Sequence, residues 1–385
     1  MNINFILKTQ LEAGAGSLQR IPAFLTTHNY KRVGFITDQG IHNNKALAEL
    51  RTLLTETGAG ITVDYIYNLP FEPDYDSLDR VKAEFKSGES SRVDVIIAAG
   101  GGSVLDFAKG IATLITNHSP ALNYRGFPKD LNPSIPVIAI PSTAGTASEV
   151  TYNAVFINKA DKRKLGINTF NNFPVLAVLD PALTKGAPYR VALGAALDAL
   201  VHTLESFAAN KHNELTRIFA VAAFRNLINN IENALQKEEE KSLSAVQLGA
   251  YLAGISLMNA GSGPAGAISY PLGVVFSIPH GIAGGIILPY LVQHNINKGY
   301  KDYDVLFEQI ENAELKNKAS NLAEYFFQLY ERLNVWEEVK KIDVNNTDFK
   351  EYVSILQGAF DQNPVSFTVE DAFTLLNNLN NKNLK

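Results

Sequence analysis

At 385 residues, the chain is longer than one hydrophobic core usually supports, so two domains are expected. Hydrophobic residues make up 46% of it and charged residues 19%, the balance of a folded globular protein rather than a disordered or fibrous one. A formal charge of -5, from 34 basic and 39 acidic residues, leaves no electrostatic footprint for nucleic acid or an anionic membrane, and the absence of cysteine excludes disulfides, thiolate ligands and a cysteine nucleophile. Any metal must be held by His, Asp or Glu. The opening residues, MNINFILKTQLEAGAGS, lack the apolar core of a secretion signal. No apolar run reads as long enough to cross a bilayer, so cytoplasmic residence is the expectation.

The first half alternates strand-like and helix-like text. Arg32–Asp38 reads as a short buried strand, Lys45–Glu56 as a helix and residues 60–66 as the next strand. Tyr75–Ser87 reads as helix, 93–99 as an almost continuous apolar strand, 104–116 as helix and 135–140 as a further strand. Apolar strands alternating with helices predict a parallel sheet covered on both faces. Beyond Asp180-Pro181 the text turns to long helical periodicity, including 215–236 and 242–257. The boundary is placed near Thr184, giving an α/β domain over 1–184 and an all-α domain over 185–385. The charged run 237–241 reads as a solvated helix end or loop, and the Asn/Lys-rich text after Leu376 as a frayed terminus.

Gly100-Gly101-Gly102-Ser103 follows an apolar strand and opens a helix, so backbone N–H groups and the helix dipole point at whatever sits there. That suits a pyrophosphate, although three glycines also make a plain strand-to-helix turn. Asp38 ends an earlier strand, where a carboxylate accepts ribose hydroxyls and repels a 2′-phosphate, or serves only as a turn residue. The turn after that strand lacks the G-x-G-x-x-G fingerprint of a standard dinucleotide fold. Thr143-Ala144-Gly145-Thr146-Ala147-Ser148-Glu149 brings hydroxyls and a glycine to another strand end, where a flat ring or phosphate can approach the backbone. The same Thr and Ser before Glu also suit a helix capping box.

Asp198-Ala199-Leu200-Val201-His202 spaces a carboxylate and an imidazole four residues apart in helical text, so both project from one face. Such a pair suits iron or zinc acting as a Lewis acid on an alcohol oxygen, though the spacing alone is common on helix surfaces. His280 sits in apolar surroundings, Ile278-Pro279-His280-Gly281-Ile282, where it is either a core histidine tied to a carbonyl or a third ligand. His28, His42, His118, His212 and His294 match no motif and read as surface or structural residues.

In order and spacing these motifs resemble the iron-containing (group III) alcohol dehydrogenase family, related in fold to glycerol dehydrogenase and dehydroquinate synthase. The resemblance runs through Thr37-Asp38, the GGGS-x-x-D-x-A-K stretch with Asp106 and Lys109, Pro141 to Val150, Lys164 with Asp180-Pro181, Asp198 to Glu205, and Pro279-His280-Gly281. It implies a dehydroquinate synthase-like fold, with an α/β N-terminal domain carrying a parallel sheet and an all-α C-terminal domain. It implies that Asp38, Gly101, Gly102, Ser103, Asp106, Thr143, Thr146 and Lys164 contact a dinucleotide, with Asp38 favouring NAD over NADP. It also implies that Asp198, His202 and His280 hold a divalent metal, Fe2+ or Zn2+. A homodimer acting on a small-molecule alcohol or sugar acid is expected, with neither nucleic acid nor membrane as partner.

One segment departs from the family pattern. Members usually carry a metal-binding His fourteen residues before the His of the PHG motif, and a second His four residues after the first; here those positions are Gly266 and Tyr270. The site is left with two His and one Asp, enough for a catalytic metal with open positions. Tyr270 is the candidate catalytic residue, a phenol able to donate a hydrogen bond or relay a proton, or else an ordinary core aromatic. The string GSGPAGAISYPLG followed by IPHGIAGG is similar to the branch that includes 3-deoxy-D-manno-octulosonate 8-oxidase, which converts a terminal primary alcohol to an aldehyde. The expected reaction is hydride transfer from an alcohol carbon to nicotinamide. A general alcohol dehydrogenase, a non-redox lyase on the same scaffold and a binding protein without catalysis are the alternatives.

Overall fold

The apolar strand text of the first half folds into one six-stranded sheet. Its strands are β1 (Gln10–Ala13), β2 (Arg32–Asp38), β3 (Thr62–Leu69), β4 (Val95–Gly100), β5 (Val137–Pro141) and, after a two-stranded antiparallel pair β6 (Val155–Asn158) and β7 (Arg163–Gly166), β8 (Leu176–Leu179). The order is β1-β8-β5-β4-β2-β3 and every pairing in it is parallel. The computed structural model describes residues 3–56, 62–69, 73–87, 93–160 and 163–380. The 60–66 strand expectation falls partly on residues 60 and 61, which lie outside the described residues.

Both faces of β2, β4, β5 and β8 are buried, which is why β2, β4 and β5 read as almost unbroken apolar runs. The pleat sends alternate residues of β4 to opposite sides. Val95, Ile97 and Ala99 join Leu47, Leu50 and Leu54, the apolar stripe of the Lys45–Glu56 helix. Ile96 and Ala98 join Leu78 and Val81 of Tyr75–Ser87, with Phe107 and Ile111 of the Gly102–Thr116 helix. The chain steps outward from β2 to β3, then crosses back to β4 and runs outward the other way through β5 and β8. The direction therefore reverses between β2 and β4, and the carboxyl ends of those two strands flank the crevice where open α/β sheets take ligands.

The second half is helical: Tyr189–Ala208, Glu214–Ile228, Ile231–Gln236, Glu240–Ala260, Pro264–Phe276, His280–Asn297, Leu322–Arg332 and Val369–Asn380 are its main elements. The single helix expected over 215–236 is interrupted at Asn229-Asn230. Their side-chain amides turn back to the Arg225 and Asn226 carbonyls, the local competition that makes asparagine a helix terminator. Residues 237–239 form the expected connection, but 240 and 241 already belong to the next helix. The fraying expected after Leu376 does not begin there, because Leu376 and Leu379 are buried and hold the last helix to Asn380; residues 381–385 lie outside the described residues.

Contacts group the chain into two units: Leu7–Thr143 with Ala147–Gly186, and Met1–Ile6 with Ala144–Thr146 and Ala187–Lys385. The change of unit falls at Gly186. The second unit also takes in Ala144–Thr146, which no single cut in the sequence isolates. Gly145 explains it, since a Cβ there would lie 2.7 Å from the Ala195 carbonyl oxygen, so this turn rests directly on the backbone of the Tyr189–Ala208 helix.

One composition-based expectation needs correction. Two helices, Tyr189–Ala208 and Glu240–Ala260, are long and apolar enough to cross a bilayer. Both are largely buried inside the helical unit, and a helix packed on most of its faces carries apolar residues all round for that reason.

Candidate active site

Asp198 and His202 lie one turn apart on the Tyr189–Ala208 helix. Asp198 Oδ1 is 3.6 Å from His202 Nε2 and 3.8 Å from His280 Nε2. Both separations exceed a hydrogen bond. They are near the separation of two ligands that share one ion, since bonds of roughly 2.1 Å at tetrahedral angles put the ligand atoms about 3.4 Å apart. Among the described residues no group of three or more His, Asp or Glu side chains is arranged to hold an ion as it stands; the Asp198 carboxylate faces both imidazoles without closing on either. Among the described residues His202 Nδ1 is buried without a hydrogen-bond partner, an uncompensated cost of holding the ring there. One carboxylate and two imidazoles suit iron or zinc, and the residues fit such a metal.

His280 is the first residue of His280–Asn297, after Pro279. The next residue brings it to Asp198: a Cβ on Gly281 would lie 2.0 Å from the Gly194 carbonyl oxygen and 2.8 Å from the Asp198 Cβ. Only glycine permits so close an approach of the two helices. His280 Nδ1 meets Ser269 Oγ at 2.9 Å.

Gly266 and Tyr270 lie one turn apart on Pro264–Phe276, and Tyr270 is half-buried. The start of this helix is capped by Glu205, which enters the sequence reading only as the end of a motif. Glu205 Oε1 accepts the N–H of Ala265 at 2.6 Å and of Gly266 at 3.1 Å, and Oε2 that of Gly263 at 2.8 Å. Burial pushes the Glu205 pKa up, against the pull of these three donors and of His202. The apolar text around Glu205 and its place one turn beyond His202 were the available signals.

In the α/β unit, the carboxyl ends of β2, β4 and β5 bring together Asp38, the glycine turn and Thr143. Asp38 Oδ1 accepts the N–H groups of Gly40 at 2.7 Å and Ile41 at 3.1 Å, so it does serve its own turn. Its Oδ2 lies 2.9 Å from where a Cβ on Gly100 would be, which sets the carboxylate against the glycine turn. Gly101 is the N-cap of Gly102–Thr116 and no side chain caps this helix. Ser103 is exposed in its first turn. Thr143 Oγ1 lies 3.7 Å from a Cβ built on Gly101.

The remaining expected residues are placed differently. Thr146 is exposed and belongs to the helical unit. Lys164 is exposed on β7, opposite Ile157 in the small hairpin. Asp106 accepts the Ser148 hydroxyl at 2.5 Å and the Val155 N–H at 3.0 Å, so both its oxygens are engaged in the scaffold. The capping box expected at Thr143 to Glu149 does not form. Ala147, at φ 54°, precedes a single turn over Ser148–Val150 without a side-chain cap, because the Ser148 hydroxyl goes to Asp106.

Lys109 enters the sequence reading only as a motif letter. It is fully buried, ion-paired with Asp106 at 3.1 Å, and donates to the carbonyls of Ser148 at 2.9 Å, Thr151 at 3.3 Å and Asn153. Burial lowers its pKa and the Asp106 carboxylate raises it back. Glu149, buried beside this knot, is pushed up to about 7 by desolvation.

A family model described as iron-containing alcohol dehydrogenase matches residues 8–181, and one described as the C-terminal part of the Fe-containing alcohol dehydrogenase family matches 192–379. The chain is 28% identical over 373 residues to Alcohol dehydrogenase 4 of Saccharomyces cerevisiae, covering 94% of each. It is 30% identical over 267 residues to 1,3-propanediol dehydrogenase of Citrobacter freundii, covering 69% of this chain and 68% of the other. Its fold matches that of sulfoacetaldehyde reductase from Bifidobacterium kashiwanohense, solved in complex with NAD+, with a TM-score of 0.85 at 21% identity over all of both chains.

Proposed function

Because the chain belongs to the iron-containing alcohol dehydrogenase family, whose members are metal-dependent alcohol oxidoreductases, we propose that it interconverts a primary alcohol and its aldehyde with NAD as hydride acceptor. The substrate assigned to it is a polyhydroxylated sugar acid, with the terminal 8-hydroxyl of 3-deoxy-D-manno-octulosonate as the specific candidate. The observation that carries this reading is the donor set of Asp198, His202 and His280 with glycine at 266. Two imidazoles and a carboxylate leave more room for substrate oxygens than three imidazoles do, and a sugar acid offers several oxygens where a simple alcohol offers one.

In this reading Asp38 accepts the adenosine ribose hydroxyls, and the uncapped helix start at Gly101, Gly102 and Ser103 receives the pyrophosphate. Thr143, Thr146 and Lys164 complete the dinucleotide contacts, and Asp106 serves them by bracing the Ser148 turn. A bound divalent metal supplies Lewis acidity that eases loss of the hydroxyl proton. Tyr270 donates a hydrogen bond to the substrate oxygen or relays that proton toward solvent, taking it up only as its own hydroxyl proton passes on, and the chain otherwise contributes position and charge.

The test is a substrate panel of short alcohols, diols and sugar acids, followed by NADH absorbance with metal-replete enzyme. One NADH per turnover on the sugar acid supports the reading. Turnover confined to short alcohols and diols, the substrates named for relatives such as 1,3-propanediol dehydrogenase, would place the chain with general alcohol dehydrogenases. Product formed without net NADH would make it a lyase.

A further inference from the structure

The His280 imidazole is held by a two-link relay that no sequence motif marked. Its Nδ1 lies 2.9 Å from Ser269 Oγ, and that oxygen lies 2.6 Å from the Gly266 carbonyl oxygen. A carbonyl only accepts, so the one hydroxyl proton of Ser269 is committed to Gly266, and Oγ meets His280 with a lone pair. Nδ1 must then carry the hydrogen. In a neutral imidazole this puts the lone pair on Nε2, the nitrogen that faces Asp198 Oδ1 at 3.8 Å.

We propose that Ser269 is a positioning residue for the metal, fixing the tautomer and ring orientation of His280 so that Nε2 is presented as a ligand. The inference rests on the ligand reading of Asp198, His202 and His280. His280 is where such help matters most: its side chain is 55% exposed, against 13% for His202, so packing does least to orient it. Ser269 itself is buried, which shields the relay from competing water. Its far end is the backbone of Gly266, the residue that has no side chain to contribute. The segment that lost an imidazole thus orients a remaining one.

The experiment is titration of metal-free protein with Zn2+ against a chromophoric chelator, for wild type, Ser269→Ala and His202→Ala, with the melting temperature and NAD affinity of each metal-free protein recorded. Ser269→Ala is expected to weaken Zn2+ binding by about tenfold to a hundredfold, the usual effect of removing a partner that orients a ligand, while NAD affinity and metal-free melting stay near wild type. Ser269→Thr and Ser269→Val, which match in shape and differ in the hydroxyl, repeat the comparison should alanine disturb folding; threonine is expected to bind Zn2+ more tightly than valine. Unchanged Zn2+ affinity in Ser269→Ala, with the affinity lost in His202→Ala, overturns the role of Ser269 alone. Unchanged affinity in both variants overturns the ligand reading and this inference with it.

Discussion

Glu205 Oε1 accepts the N–H of Gly266 at 3.1 Å, and the residue held there, where the family resemblance places a metal-binding imidazole, has no side chain. A Cβ at 266 would lie 3.0 Å from Glu205 Oε2, which makes a side chain there tight but admissible if the carboxylate gives slightly. Gly266→His is therefore expected to fold with a small loss of stability and to bind Zn2+ or Fe2+ more tightly, on the order of tenfold. It should also shift kcat/KM away from chelating sugar acids toward simple alcohols. Metal titration and a two-substrate comparison check it; tighter metal binding with an unchanged substrate ratio would sever the missing ligand from substrate choice.

Glu205→Ala removes the acceptor for three N–H groups at the start of Pro264–Phe276. Leaving buried donors unmet costs about 3 kcal/mol, which at roughly 2–4 °C per kcal/mol is a fall of several degrees or more in melting temperature. Thermal melts of the metal-free protein measure this directly, and an unchanged melting temperature would show that water replaces the cap.

Lys109→Met strands Asp106 and three loop carbonyls that the buried ammonium now satisfies. Removing one partner of a buried charge pair costs about 3–5 kcal/mol. The loss should fall on the turn between β5 and β6, so NAD affinity is expected to drop along with melting temperature, whereas Zn2+ affinity stays close to wild type. Fluorescence titration with NAD and metal titration on the same preparation separate the two effects.

The parallel sheet and its two covering cores were legible because β2, β4 and β5 are apolar on both faces, a pattern that leaves little ambiguity. β1 and β8 were not, since four residues such as Gln10–Ala13 give no usable periodicity and gain their strand conformation from pairing with each other. Asp198 and His202 share a helix, so their spacing alone put them on one face. Their approach to His280 depends on Gly281 fitting against Gly194, which no spacing rule reveals. Ser269, Lys109 and the Glu205 cap escaped for a related reason: each acts through backbone groups that are distant in sequence, and such partners exist only once the chain is folded.

The Glu149 carboxyl gives a pH dependence with a definite sign. Its pKa in the fold is raised to about 7 by burial, above the ordinary value of about 4.3 for an unfolded glutamate. Between those two values the folded state holds a proton that the unfolded state has released, so stability falls as pH rises across that window. The contribution is fully present below the unfolded pKa and lost once pH has passed the folded one. Glu149→Gln keeps the shape and removes the titration. Its melting temperature should match wild type near pH 4, exceed it at pH 8, and show a flatter slope between. Lys109 works against this effect by favouring the ionised carboxylate. In a Lys109→Met background the gain in melting temperature from Glu149→Gln, measured at pH 8, should therefore be larger than in the wild-type background. Equal slopes for Glu149→Gln and wild type from pH 4 to 8 would show that the carboxyl ionises in the fold as easily as it does in water.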